Sequence, residues 1–168
     1  MLKHKNDIII CVALFFVCLF VFTRGLDCHG LEYRDDEIFY YKSTQEMLET
    51  GNYLTPTYFG ENRFQKPILF YWLVLISYKI FGINWFAARF VAVFFSGLTV
   101  CLTWLIAKQF FDRRIATLSS IILMTIVMFL RNGKNVVPDM PLNFFVVLAI
   151  YFAIKFMQVN SNKNLEEK

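Results

Sequence analysis

The chain is organised around a long polar segment between apolar runs, the stretch from Tyr33 to Pro67, YRDDEIFYYKSTQEMLETGNYLTPTYFGENRFQKP. From Arg24 to Lys66 the chain carries five basic and eight acidic residues, a net charge of −3. Membrane proteins concentrate lysine and arginine in cytoplasmic loops, so this acidic loop is predicted to lie on the opposite side. Polar residues held close to a bilayer are also the expected place for chemistry.

The composition places the chain in the membrane class. Of its 168 residues 57% are hydrophobic, including 20 Phe, which is more apolar surface than a soluble domain of this size can bury. The formal net charge of +4 is small, and no basic cluster interleaved with aromatics indicates a nucleic-acid partner. Cys11, Cys18 and Cys101 lie within apolar runs, where a thiol behaves as a small hydrophobe, so no disulfide framework is expected.

Apolar runs with the length and composition of membrane spans cover residues 8–23, 90–107, 115–130 and 141–157. Lys3 and Lys5 precede the first run, which predicts an uncleaved anchor with a cytoplasmic N-terminus. The basic turn from Lys108 to Arg114 then also faces the cytoplasm, and four crossings return the C-terminus to the same side.

The first outer loop, residues 24–89, is predicted to carry two helices at the membrane surface. Residues 36–50 start with an N-cap aspartate and end before Gly51, which suits a left-handed helix terminus. Residues 67–81 form an apolar run too short for a span, which favours an interfacial helix. Residues 1–168 are therefore expected to form an all-α integral membrane protein with about four transmembrane helices and a long outer loop of juxtamembrane amphipathic helices.

Several polar residues are candidates for a site, and each also has a plainer structural explanation. The adjacent carboxylates Asp35, Asp36 and Glu37 either favour the positive end of a helix dipole or supply a general base or metal ligands. Lys66 is either a snorkelling lysine or a point charge for a phosphate. Asp139, at the mouth of an apolar span, is either a helix-start signal or a functional carboxylate.

A further cation, Arg89, follows the aromatic pair Trp85-Phe86. It is either an anchor for lipid headgroups, which the neighbouring aromatics favour, or a ligand for a phosphate.

Short motifs occur along the chain in this order: Asp36-Glu37-x-x-Tyr40, Met47-Leu48-x-x-Gly51-x-Tyr53-x-x-Pro56, Phe64-Gln65-Lys66-Pro67-Ile68 with Tyr71-Trp72, Phe81-Gly82 with Ala87-Ala88-Arg89, and Pro138-Asp139-Met140-Pro141-Leu142. The ordered series resembles the N-terminal part of the membrane glycosyltransferases that use polyprenyl-phosphate sugars. These form the GT-C superfamily, and the resemblance lies near the aminoarabinose transferases of lipid A and the protein O-mannosyltransferases. It covers residues 35–157.

The resemblance implies a set of catalytic carboxylates and a set of cations for the phosphate of the donor. The carboxylates are Asp36, Glu37 and Asp139, and the cations are Lys66, Lys134 and Arg89. Asp36 would deprotonate the acceptor hydroxyl as it attacks the anomeric carbon of the carrier-linked sugar, in an inverting transfer. The acceptor would be a lipid, glycan or protein at the outer face of a bacterial inner membrane.

Three departures from the family pattern matter. Gln65 stands where the aminoarabinose-type sequences carry Glu, which keeps an acceptor oxygen but loses the charge and weakens the case for a divalent metal ion, so Asp36 and Gln65 stay only an alternative pair of metal ligands. Lys134 stands where relatives often have Arg, which keeps the charge and loses the bidentate fork. Family members have more spans, so the expected partners are membrane lipids, the donor, and a missing C-terminal portion or partner subunit. The alternative function is a non-catalytic remnant or small subunit that binds lipid phosphate or a partner.

Overall fold

The computed structural model describes residues 2–26 and 35–166, with side chains described for residues 6–26 and 36–160. Within these residues the helices are α1 (Leu2–Thr23), α2 (Asp35–Thr50), α3 (Ile68–Phe81), α4 (Trp85–Phe110), α5 (Arg113–Thr125), α6 (Val127–Asn132) and α7 (Asp139–Glu166). Two short antiparallel strands, β1 (Thr57–Tyr58) and β2 (Glu61–Asn62), form a hairpin between α2 and α3. Residues 27–34 of the predicted outer loop lie outside the described residues.

Three of these helices are long and apolar enough to cross a membrane. The spanning segments are Asn6–Thr23, Trp85–Phe110 and Asp139–Asn160. Each contains one of the spans predicted from the sequence, and α3 is a shorter apolar helix of 14 residues. The prediction of an all-α membrane fold is confirmed.

Helix α4 is the centre of the bundle, because α1, α3, α5 and α7 all pack against it. Small residues allow this close approach: Ala92 and Ser96 are fully buried, and a Cβ added to Gly97 would lie 2.7 Å from the ring of Phe15 in α1. Small side chains let membrane helices approach until backbone and side chains interlock. The sequence of α4 therefore explains why several helices meet around it.

The structure differs from the sequence prediction at residues 115–130, which form two helices rather than one continuous span. Ile126 separates α5 from α6 with an extended backbone (φ −65°, ψ 120°), although no proline or glycine lies nearby. The two helices still connect opposite ends of the bundle. At one end Arg113 pairs with Asp7, and beyond the other end Lys134 donates to the carbonyl of Arg24.

The two ends of the bundle differ in charge. Asp7 of α1 pairs with Lys108 and Arg113 at one end, which we call the basic end. Helix α2, the hairpin and the start of α3 lie at the opposite end, which we call the polar end. The positive-inside rule predicts that the basic end faces the cytoplasm.

Cysteine labelling with a membrane-impermeant maleimide tests this orientation. Glu61→Cys is exposed in the hairpin and should react in intact cells, whereas Arg114→Cys at the basic end should react only after permeabilisation. Both reactions are measured above the labelling of the parent chain, which keeps its native cysteines. Reaction of Arg114→Cys in intact cells would invert the topology.

Candidate functional site

Two residues predicted from the sequence meet at the polar end, where α2 and α3 begin. Lys66 Nζ lies 3.7 Å from Asp36 Oδ1, and the two side chains are 37% and 52% exposed. Asp36 lies in the first turn of α2, where a carboxylate interacts favourably with the helix dipole. Lys66 is placed by Pro67, which has the extended conformation that precedes α3. An exposed ion pair of this kind adds little stability. Separating the two groups therefore costs little, and both can contact a ligand.

Two tyrosines form the floor beside this pair. The rings of Tyr40 and Tyr71 lie with their centres 5.0 Å apart, and both side chains are almost fully buried. Burial raises the pKa of each hydroxyl, and the negative charge of Asp36 adds to the effect. Asp139 also raises the pKa of Tyr40, so the carboxylates of α2 and α7 both act on one hydroxyl. The tyrosines therefore stay protonated at neutral pH.

A second cation, Arg63, lies at the same place and was missed by the sequence analysis. Its guanidinium carbon stacks 3.8 Å from the centre of the Phe39 ring. The guanidinium is close enough to the Tyr71 hydroxyl to oppose the rise in its pKa, although the two groups lack hydrogen-bond geometry. One feature of the sequence could have identified Arg63 as a candidate, because it stands three residues before Lys66 in the same polar stretch.

Glu46 holds in place the hairpin that comes directly before Arg63. Its carboxylate accepts hydrogen bonds from Thr57 Oγ1 at 2.7 Å, from the Phe59 amide at 2.7 Å and from the Gly60 amide at 3.3 Å. Burial tends to raise the Glu46 pKa, but these hydrogen bonds outweigh burial and lower it. Phe59 and Gly60 both have positive φ, as a two-residue hairpin turn requires. The carboxylate therefore ties the turn to α2.

Glu37 and Arg89, predicted as a catalytic carboxylate and a phosphate-binding cation, are engaged within the protein instead. Glu37 is fully buried, Arg89 is 1% exposed, and Arg89 Nη2 lies 3.4 Å from Glu37 Oε2. Glu37 Oε1 accepts from the Val136 amide at 2.6 Å, and Arg89 Nη1 donates to the Leu26 carbonyl at 2.6 Å. This geometry favours a structural role for both residues over contact with a substrate.

Helix geometry explains why neighbours in the sequence have different surroundings. Successive residues of an α-helix point about 100° apart, so Asp36 and Glu37 cannot share a face. The buried face of α2 runs through Glu37, Tyr40, Thr44 and Met47, whereas Asp36 is exposed.

The two remaining candidates lie on the segment before α7 and at its start. Lys134 Nζ donates to the Arg24 carbonyl at 2.9 Å, which ties this segment to the end of α1. Asp139 is the first residue of α7 and is exposed. It lines a cavity of about 300 Å³ together with Asn132 and Asn143. Asp139 therefore has open space beside it, whereas Lys134 already has a protein partner.

Asp36 and Gln65 alone are a weak set of ligands for a divalent metal ion, because only Asp36 carries a negative charge. Gln65 is exposed, and the ammonium of Lys66 already lies beside the Asp36 carboxylate. Among the described residues no group of three His, Cys, Asp or Glu side chains is arranged to hold a metal. The metal ion predicted as an alternative at Asp36 and Gln65 stays a prediction, and no step below depends on it.

The helices and their charged ends define an integral membrane protein with ion pairs at both ends of a helical bundle, among them the exposed pair of Asp36 and Lys66 at the polar end. The family model described as dolichyl-phosphate-mannose-protein mannosyltransferase matches residues 8–167. The chain belongs to this family, which confirms the resemblance found in the sequence.

Known relatives are similar over most of this chain. An uncharacterised protein of Aquifex aeolicus is 38% identical over 117 residues, which are 69% of this chain and 23% of the relative. An undecaprenyl phosphate-alpha-4-amino-4-deoxy-L-arabinose arabinosyl transferase of Enterobacter sp. is 33% identical over 119 residues, 70% of this chain and 22% of the relative. The chain thus spans less than a quarter of the length of either relative.

A solved structure has the same fold. ArnT from Cupriavidus metallidurans, bound to undecaprenyl phosphate, matches with a TM-score of 0.73 and 24% sequence identity. The match covers 88% of this chain and 27% of the solved chain. The helical arrangement described above is therefore the arrangement of part of a larger membrane protein fold.

Replacing Glu37 by Ala tests the buried ion pair. The substitution leaves Arg89 buried without its carboxylate and frees the Val136 amide, so the protein should lose about 3–5 kcal/mol of stability. The measurement is the melting temperature in detergent. Glu49→Ala, an exposed carboxylate on the same helix, is the matched control and should melt close to the wild type. Equal melting of the two variants would contradict the structural role of Glu37.

Proposed function

We propose that the protein to which this chain belongs transfers a sugar from a polyprenyl phosphate carrier to a lipid, glycan or protein acceptor. The observation that carries the proposal is the exposed pair of Asp36 and Lys66 at the polar end, in a chain of this family. A carboxylate and an ammonium held together suit a reaction in which a proton leaves one reactant and a phosphate leaves the other.

In the proposed reaction the oxygen of the acceptor hydroxyl forms a bond to the anomeric carbon of the sugar. The bond between that carbon and the phosphate oxygen breaks, and the carrier phosphate keeps the electron pair. Asp36 accepts the proton of the acceptor hydroxyl, and Lys66 neutralises the charge that develops on the phosphate. Attack from the face opposite the leaving group inverts the configuration at the anomeric carbon.

Asp139 is proposed to complete the site from the start of α7. The Val136 amide, three residues before Asp139, donates to Glu37, the neighbour of Asp36, at 2.6 Å, which supports a common site for the two acids. The cavity of about 300 Å³ beside Asp139 offers room for a polar group of the acceptor or the sugar. Placing reactants in one orientation supplies much of the rate in such transfers.

The apolar chain of the carrier has a proposed path along α3. An apolar groove of about 240 Å³ lies between α3 and α4, lined by Ile76, Ile80, Phe90 and Phe94 among others. Leu69 and Trp72, in the first turns of α3, also expose apolar surface near Lys66. A phosphate at Lys66 would therefore have an apolar surface next to it for the first isoprene units.

The proposal places the reaction at the outer face of the inner membrane. The support is the charge of the two ends, because the basic end carries Lys108, Arg113 and Arg114. Cytoplasmic loops are enriched in such residues, so the polar end is assigned to the other side.

Substitution of Asp36 by Asn tests the proposed base. The amide keeps the size of the side chain and cannot accept the proton, so transfer should fall by about 100- to 10,000-fold. The measurement is transfer from a polyprenyl-phosphate sugar by the native protein extracted from its membrane. Membrane insertion and binding of the carrier should persist.

Glu49→Gln is the matched control, because it removes an exposed carboxylate from the same helix. It should transfer the sugar at the wild-type rate. Undiminished transfer by Asp36→Asn would remove Asp36 from the mechanism, and carrier binding without any transfer by the wild type would favour the non-catalytic alternative.

A further inference from the structure

We infer that Arg63 is a further phosphate-binding residue, and that its guanidinium and the hydroxyls of Tyr40 and Tyr71 together bind an oxyanion of the lipid carrier. The inference rests on the proposed function, because it assigns the carrier phosphate to the same end of the molecule. Arg63 lies outside the residues predicted from the sequence.

The three groups lie together between the first turns of α2 and α3. The ring centres of Tyr40 and Tyr71 are 5.0 Å apart. Arg63 stacks on Phe39, the residue before Tyr40 in α2, and its charge acts on both tyrosine hydroxyls. The Asp36 charge also acts on both hydroxyls, so the cluster borders the proposed catalytic pair.

Each of the three groups has hydrogen-bonding capacity that no described residue uses. Arg63 Nε and the hydroxyl oxygens of Tyr40 and Tyr71 are buried and make no hydrogen bond within the described part of the chain. Buried polar atoms in native proteins are generally satisfied, so such a cluster indicates a missing partner. Arginine only donates, and a protonated tyrosine can donate, so one acceptor group can satisfy all three.

The acceptor that suits this cluster is a phosphate oxyanion. A guanidinium presents parallel N–H groups that match phosphate oxygens in a bidentate contact, and charge-assisted hydrogen bonds are the strong ones. Among the described residues Asp36 pairs with Lys66 at 3.7 Å and Arg63 pairs with no carboxylate, so the guanidinium is open to a second anion. A phosphate between Arg63 and Lys66 would have a cation on each side.

Arg63 is also held in position before any ligand arrives. Its side chain stacks 3.8 Å from the Phe39 ring centre, and its backbone amide donates to the Pro56 carbonyl at 2.8 Å. The hairpin before it is tied to α2 by Glu46. A group fixed in advance loses less conformational freedom on binding, which favours affinity.

The test compares binding of undecaprenyl phosphate and of undecaprenol, the same lipid without its phosphate, to the native protein in detergent. The readout is the affinity for undecaprenyl phosphate divided by the affinity for undecaprenol. A general loss of packing would weaken both affinities and leave this ratio unchanged. Arg63→Gln should lower the ratio by about 10- to 100-fold, the usual effect of losing hydrogen bonds to a charged group. Arg63→Lys should restore part of it, because lysine keeps the charge and loses the fork.

Lys42→Gln is the matched control, since Lys42 is an exposed cation on α2 that hydrogen bonds to Gln45. It should leave the ratio unchanged. If Arg63→Gln keeps the wild-type ratio while Lys66→Gln lowers it, the inference about Arg63 fails and the proposed function stands. Equal losses of both lipids in Arg63→Gln would mean that Arg63 supports packing alone, which also overturns the inference.

Two further outcomes concern the ligand. Inorganic phosphate should bind far more weakly than undecaprenyl phosphate, and equal binding would contradict the assignment to a lipid carrier. A wild-type protein that does not distinguish undecaprenyl phosphate from undecaprenol would overturn both this inference and the proposed phosphate site.

Discussion

The buried ion pair between Glu37 and Arg89 is the contact on which the polar end depends. It joins α2 to α4, and the hydrogen bonds to Val136 and Leu26 extend the connection to the segment before α7 and the end of α1. Charges placed this deeply are tolerated only when each is paired and hydrogen-bonded, so the three contacts stand or fall together. Through them, parts of the chain separated by up to 110 positions are held at one end of the bundle.

The same pair distinguishes the buried carboxylate of Glu37 from the exposed carboxylate of Asp36, which is the proposed base. Glu37 points into the bundle and is satisfied by protein groups, whereas Asp36, one residue earlier, points outward and meets Lys66. A buried carboxylate with two protein contacts is out of reach of a substrate hydroxyl, whereas an exposed carboxylate is open to it. Asp139 resembles Asp36 in this respect, because it is exposed at the start of a helix and borders a cavity.

Much of the fold can be predicted from the lengths and the hydropathy of the apolar runs in the sequence. Length and hydropathy mark α1, α4 and α7, and the short apolar run of α3 is visible for the same reason. The break at Ile126 has no local signal, because it lacks the proline or glycine that usually marks one. The pairing of Glu37 with Arg89 joins residues 52 positions apart and depends on how α2 packs against α4, which no local pattern reveals. Arg63 was missed because its proposed role depends on its contacts with Phe39 and Tyr71. These residues are not its neighbours in the sequence and come close to Arg63 only when the hairpin folds.

The polar end, organised by the buried pair, is the proposed binding place of the carrier phosphate. The most direct measurement uses an undecaprenyl phosphate analogue with a photoreactive diazirine in the isoprene unit next to the phosphate, cross-linked to the native protein in its membrane. Mass spectrometry then maps the labelled residues. If the carrier phosphate binds at the polar end, label on this chain should fall in residues 36–40 and 63–72. Label confined to the basic end, around Asp7 and Lys108, would contradict it.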